Sequence, residues 1–412
     1  MTLRQKRFVA GRAALTLLTT LSALAGAALV GAAPAGAAEP GGRIAPGVAY
    51  DEFDIPAAKG TAHAHVLTVD LRNPHVHLDL LHPGAVAARA TLSQQATAQG
   101  AVAGVNGDFF NISETQHPGV QATGASVGPA IASGEVLKAA VPNGQRFGPA
   151  LPPGTSTEDV LGVGVDRRAR LDGLTLVGSI RTPESRLPLR GLNQYALPVG
   201  SIGAFTAAWG SASRVRATCG TDTDRAAPCS GDTYEVTVRR GRVASMADTP
   251  GSGPIAPDTT VLVGREAGAQ QLRKFFAGEP VKVRHRLVAS ASRVPYRFAL
   301  GGYPVLDEGQ PLPGLDNRAS AVRTAVGIAD RGRRLLLLAL DGAPEYRTGL
   351  TIAEVADVMR ELGSVDAFSL DGGGSSTLVA REPGAADVSV RNHPSGGVER
   401  AVPNGIGVFS TT

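Results

Sequence analysis

Two short apolar runs, Leu335–Leu340 and Ala367–Leu370, lead straight into Asp-Gly, as LLLLALDG up to Gly342 and AFSLDGGGSS up to Ser376. Between them Thr351-x-x-Glu354 makes a capping box after Gly349, and Ile352, Val355, Ala356, Met359 and Leu362 recur at helical spacing until Gly363. Strand, helix and strand in that order predict a βαβ unit with parallel strands and a right-handed crossover. Parallel strands share a carboxyl edge, so Asp341 and Asp371 are expected to emerge together, where open α/β sheets bind ligands. Gly372, Gly373 and Gly374 let backbone N–H groups approach an oxyanion without Cβ interference, and Ser375 and Ser376 add hydroxyl donors.

Upstream, the alternation in His65–Leu71 and His75–Leu81 predicts strands with a turn at Asn73-Pro74. His65, His75 and His77 read there as strand-face residues rather than metal ligands. Residues 91–100 predict a short helix, and Ala101–Val105 a buried strand ending in Asn106-Gly107-Asp108-Phe109-Phe110. Residues 160–290 hold β-type runs between Pro/Gly turns, with one short helix at Glu266–Phe276. The class expected is α/β (mixed α+β): a large mixed, partly parallel sheet with the C-terminal βαβ unit and a β-rich middle segment.

The first 38 residues have a basic start, an Ala/Leu-rich run and a small-residue end, the order of a cleaved secretory signal. Residues 39–60 read as a Pro/Gly-rich leader and 61–412 as one domain. Removing Arg4, Lys6, Arg7 and Arg12 with the signal leaves 36 basic against 36 acidic residues. A neutral chain without a basic block is a poor nucleic-acid partner, and no second long apolar run offers a membrane span once the signal is gone. Cys219 and Cys229, alone in the chain and close together in a polar loop, are expected to pair in an oxidising compartment. So short a closed loop contributes roughly 3 kcal/mol in the chain-entropy model.

The tail collects cations and amides, as Arg391-Asn392-His393-Pro394-Ser395-Gly396-Gly397, then Glu399-Arg400 and Asn404 before a closing strand. Arg323, ahead of Thr324-Ala325-Val326-Gly327-Ile328, offers a guanidinium fork to an anion. With VNGDFF (105–110), GGYPVL (301–306), RTAVGI (323–328), LDG (340–342), GLTIAEVADVMRELGSVDAFSLDGGGSSTLV (349–379) and NHPSGGVERAVPNGIGVF (392–409), the chain resembles the phosphodiester glycosidases. The likeness is dense from about Gly301 to Phe409, thinner from Thr61 to Phe110 and vague between.

The resemblance implies hydrolysis of a sugar-1-phosphodiester, with the phosphomonoester as leaving group. It implies Asp371 as base or nucleophile, and Asp341 as second carboxylate or orienting group. It further implies phosphate binding by Arg323, Arg400 and the Gly372–Ser376 loop, and sugar contacts from Asn106, Gly107 and Asn404. His393 is a candidate proton carrier, and Glu399 is expected to pair with Arg400. No cofactor is assigned, a divalent metal staying open, and the partner implied is a sugar-phosphate glycan or cell-wall polymer. Two rivals remain open: a glycan-binding protein without turnover, and a phosphodiesterase holding a divalent metal on Asp341, Asp366 and Asp371.

Overall fold

A computed structural model describes residues 42–411; the expected export signal lies outside them. The α/β expectation is overturned. The described residues form a mainly β protein of four sheets, with three α-helices: α1 (Leu92–Gln99), α2 (Ala267–Leu272) and α3 (Ile352–Glu361). Pairing is antiparallel throughout, except for the short parallel match of Gly191–Leu192 with Ile202–Phe205.

The central sheet has eight strands in the order Gly42–Ala45, Val48–Ala57, Gly60–Asp70, Arg334–Leu340, Thr324–Ala329, Asp366–Leu370, Tyr303–Asp307 and Gln310–Pro311. The two strands expected to pair in parallel do run the same way and are joined through α3. Thr324–Ala329, which precedes both in the chain, lies between them and is antiparallel to each. The expected common edge therefore exists, but the βαβ hydrogen-bonded pair does not. Residues expected as a leader supply the sheet from Gly42 onward, because the alternation of Val48–Ala57 pairs it with Gly60–Asp70 over its whole length.

Alternate residues divide the central sheet into two cores. Val326, Leu337, Ala339, Phe368 and Leu370 face a five-stranded sheet through Leu78, Val105, Leu378 and Ile406. That second sheet has the order Val388–Val390, Leu378–Arg381, Ala103–Asn106, Gly405–Ser410 and Val76–Leu81. The strands flanking Asn73-Pro74 thus belong to different sheets. Ala325, Leu338, Leu340 and Ala367 face the other way, against Val355, Ala356 and Met359 of α3. Gly327 permits that approach, since a Cβ there would stand 1.9 Å from Ser364 Oγ.

The capping box expected of Thr351 with Glu354 forms at the start of α3, and a second, Thr91 with Gln94, opens α1. The α2 helix stops short of Phe276 because Phe275 N donates back to Leu272 O, a tightened closing turn. The middle region forms two largely antiparallel sheets, one completed by Ala130–Ala132, Glu135–Lys138 and Tyr296–Gly301 from outside 160–290. Cys219 and Cys229 are disulfide-bonded. None of the described helices is long and apolar enough to cross a membrane.

Candidate functional site

The sheets meet at the carboxyl edge of Asp366–Leu370, and the residues at that seam are framework rather than ligand contacts. Asn106 is fully buried. Its Nδ2 donates to Asp371 O (2.6 Å), while Oδ1 accepts from Thr324 Oγ1 (2.8 Å) and Thr377 N (3.0 Å). Asn404, also buried, accepts from Asp108 N and donates to Ser126 Oγ. Gly107 packs beneath it; a Cβ there would lie 2.4 Å from Asn404 Oδ1. Ser376 Oγ lies 3.0 Å from Thr324 Oγ1 inside the same seam, and since the one Thr324 hydroxyl proton goes to Asn106, Ser376 is the donor there. The sugar contacts expected of Asn106, Gly107 and Asn404, and the hydroxyl donor expected of Ser376, are therefore turned inward.

The glycine loop is likewise only partly available. The amides of Gly373, Ser375, Ser376 and Thr377 go to Val322 O, Gly372 O, Gly373 O and Asn106 Oδ1. What the loop leaves open is space at Gly373, where a Cβ would meet nothing within 4 Å; at Gly372 a Cβ would stand 2.5 Å from Val322 O, and all three glycines are half-buried. Gly374 lies against Arg400, whose Nη2 would be 2.3 Å from a Cβ there.

Asp371 stands in this gap, half-buried, its N–H held by Gly107 O and its carboxyl bonded to Ser375. Burial pushes the carboxyl up to about 7, against the opposing pull of Ser375 and Arg400. Arg400 Nη1 donates to Ser375 Oγ (3.3 Å), and Glu399 does not pair with it. Glu399 instead accepts from Ser93 N and Oγ at the start of α1, drawn off by a first-turn N–H that the Thr91 cap does not satisfy. Arg323 lies on the Asp371 face, with Nε donating to Leu350 O and Nη2 to Ala319 O, so two arms of its fork are engaged by backbone.

Arg146 completes the cationic surround, and sequence reasoning missed it. Its guanidinium lies 4.6 Å from the Phe109 ring centre and 5.3 Å from that of Tyr303, and its Nη2 has no hydrogen-bond partner among the described residues. Burial lowers its pKa, and the Asp108 and Asp371 carboxylates help to hold its charge. Behind it Asp108 accepts from Phe109 N and Gly128 N, beside the buried Lys138, whose pKa burial pushes down to about 7. Nothing in the Pro-Asn-Gly-Gln-Arg run at 142–146 reads as more than a turn; only the fold brings Arg146 to Asp371.

Asp341 belongs to a different cluster. Its Oδ1 accepts from His393 N (2.6 Å) and lies 3.0 Å from His65 Nε2, and its Oδ2 lies 3.2 Å from His393 Nδ1. The register explains the separation: Thr324 pairs with Ala339 on one side and Leu370 on the other, so those three share a face. Asp341, two residues beyond Ala339, stays on that face, while Asp371, one beyond Leu370, turns to the other. His393, exposed, follows Asp341 and not Asp371. Asp366 begins the strand that Asp371 follows, roughly 17 Å away along the chain at strand spacing, so the three aspartates of the metal reading do not converge.

A family model described as phosphodiester glycosidase matches residues 232–409. The N-acetylglucosamine-1-phosphodiester alpha-N-acetylglucosaminidase of Mus musculus is 48% identical over 59 residues, which is 14% of this chain and 11% of the mouse protein. A hypothetical protein from Synechocystis has a similar solved structure, with TM-score 0.66 and 20% identity, over 89% of this chain and 62% of that one. A candidate exported protein of Burkholderia pseudomallei gives TM-score 0.64 and 22% identity, over 85% of this chain and 74% of its own. These two structures speak to fold alone. The matched region holds Arg323, Asp371 and Arg400 and leaves out Asn106 and Arg146, and over it the chain is similar to the phosphodiester glycosidase family.

Proposed function

We propose that this chain is an exported hydrolase that removes a sugar from a sugar-1-phosphodiester by cleaving the C–O bond at the anomeric carbon. Water adds to that carbon and the phosphomonoester departs. Asp371, as carboxylate, acts at the anomeric centre as base or nucleophile, and Arg400 and Arg146, with the remaining arm of Arg323, receive the phosphate. One observation carries this reading: a half-buried carboxyl pushed up to about 7 stands among guanidinium groups that no neighbouring carboxylate has claimed. A phosphomonoester is a good leaving group, so cationic stabilisation of its developing charge replaces much of what a strong general acid does for a sugar alkoxide. The substrate class that fits an exported chain of this kind is a wall or capsule polymer with sugar-1-phosphate links.

The test is hydrolysis of an activated sugar-1-phosphodiester in oxygen-18 water. Label in the sugar supports the proposal, and label in the phosphate means P–O cleavage and overturns it. Saccharide binding by wild-type protein that never turns over such compounds would instead mark a binding protein on the same fold.

A further inference from the structure

The sheet face that carries Asp341 continues into a second cluster, independent of the hydrolase reading. His63 and His65 are two residues apart on Gly60–Asp70, hence on one face, and the antiparallel register seats them opposite Asp54 and Glu52. One ring nitrogen from each histidine and a carboxylate oxygen of Glu52 lie within 4.8 Å of one another. Exposure grades outward from buried His65 through half-buried His63 to exposed Glu52, so the group is anchored inside and open to solvent outside.

The cluster has fewer protons than acceptors. The Asp341 carboxylate can only accept, so at 3.0 Å it fixes the proton of neutral His65 on Nε2 and leaves Nδ1 as a lone pair. The Tyr50 hydroxyl is 2.7 Å from that Nδ1 and 2.8 Å from Glu52 Oε2. It has one proton for two acceptors. Asp54 takes the Nδ1 edge of His63 at 2.6 Å. The cluster is therefore one positive centre short of satisfying its acceptors, and each imidazole already has a carboxylate behind it.

We propose that Glu52, His63 and His65 bind one divalent transition-metal ion of the zinc type, with Asp341 and Asp54 as the outer carboxylates that orient the two imidazoles. Two nitrogens and one oxygen favour such an ion over magnesium or calcium, which prefer all-oxygen shells. Three protein ligands with a solvent-facing fourth position match a zinc site that keeps a water. Ligand atoms in such a shell stand roughly 3.4 Å apart, so binding draws the exposed Glu52 side chain inward and displaces the Tyr50 hydroxyl from between them. The aspartate of the first Asp-Gly strand end thereby becomes an orienting group, on the sheet face opposite Asp371.

The experiment is calorimetric titration of the metal-free full chain with zinc chloride, with magnesium and calcium as controls. We expect one zinc per chain with a Kd of about 1 μM or tighter, and no comparable uptake of the other two. His63→Ala should weaken binding about 100-fold and Asp341→Asn about 10-fold or more. Should a histidine variant fail to fold, Glu52→Gln decides: this exposed change should weaken zinc about 10-fold while the thermal transition of the metal-free protein stays in place. Absence of stoichiometric zinc uptake by the wild type overturns the proposal, as does uptake that Glu52→Gln leaves within about twofold.

Discussion

Two strand ends in this molecule carry the same three residues, Leu-Asp-Gly, at 340–342 and 370–372, and the fold puts them to opposite uses. Asp341 is buried and bonded on both oxygens, inside a histidine cluster. Asp371 is half-buried, bonded to Ser375 and to the Gly372 N–H, and faces the Arg400 and Arg146 guanidinium groups. A carboxylate with settled partners supports structure, whereas one kept short of partners and partly desolvated stores free energy that chemistry can use. The difference does not lie in the motif; it arises from how each strand is registered against Thr324–Ala329.

The sharpest way to break this comparison is the matched pair of amidations. Asp371→Asn should lower kcat/KM for an activated sugar-1-phosphodiester by about 1,000-fold or more, whereas Asp341→Asn should lower kcat per folded molecule by less than about 10-fold. Equal losses would mean the two ends form one site. Next, Arg400→Ala should cost about 100-fold in kcat/KM, and Arg146→Ala a similar amount, if both meet the phosphate; steady-state kinetics with a neutral sugar glycoside as control shows whether the loss is specific to the anion.

Stability should move in the reverse order. Asp341→Asn breaks bonds to a buried histidine and should destabilise the fold by about 2 kcal/mol in urea melts. Asp371→Asn should raise stability at pH 8. The carboxyl is protonated up to about 7 in the folded state but only to about 4 in the unfolded chain, so the folded state binds more protons between those values. Wild-type stability therefore falls as pH rises through that window, by on the order of 2 kcal/mol once partial solvent access is allowed for, and the amide flattens the slope. Activity runs the other way, with kcat/KM rising through an apparent pKa near 7 as the carboxylate forms. The smallest effect belongs to Gly374→Ala, whose methyl pushes the flexible Arg400 guanidinium aside: about 5-fold in kcat/KM, with stability changed by less than about 0.5 kcal/mol.

Much of the local structure is legible in the residues. Thr351 and Glu354 mark the start of α3, Thr91 and Gly100 bound α1, and the alternating runs mark the strands, because caps and periodicity are short-range physics. The sheet order is not, since nothing in Thr324–Ala329 says that it will insert between two strands that follow it. That insertion turned an expected parallel pair into an antiparallel trio. The site was half legible for the same reason. Asp371, Ser375 and Arg400 come together as their motifs suggest, while Asn106 and Asn404 look equally polar in the sequence but face inward. Separating Asp341 from Asp371 needs a one-residue register, which no local pattern encodes.

The backbone of Asp371 is bolted on both sides by the second sheet, through Gly107 O to its N–H and Asn106 Nδ2 to its carbonyl. The Asp371 carboxyl thus hangs from a seam between two layers rather than from either layer alone. A form of the protein in which both layers keep their strands but have drifted apart would look folded to far-ultraviolet spectroscopy and be catalytically silent. Under the proposed hydrolysis, turnover is a gauge of closure between layers, and during refolding it should return only with the last step that locks them.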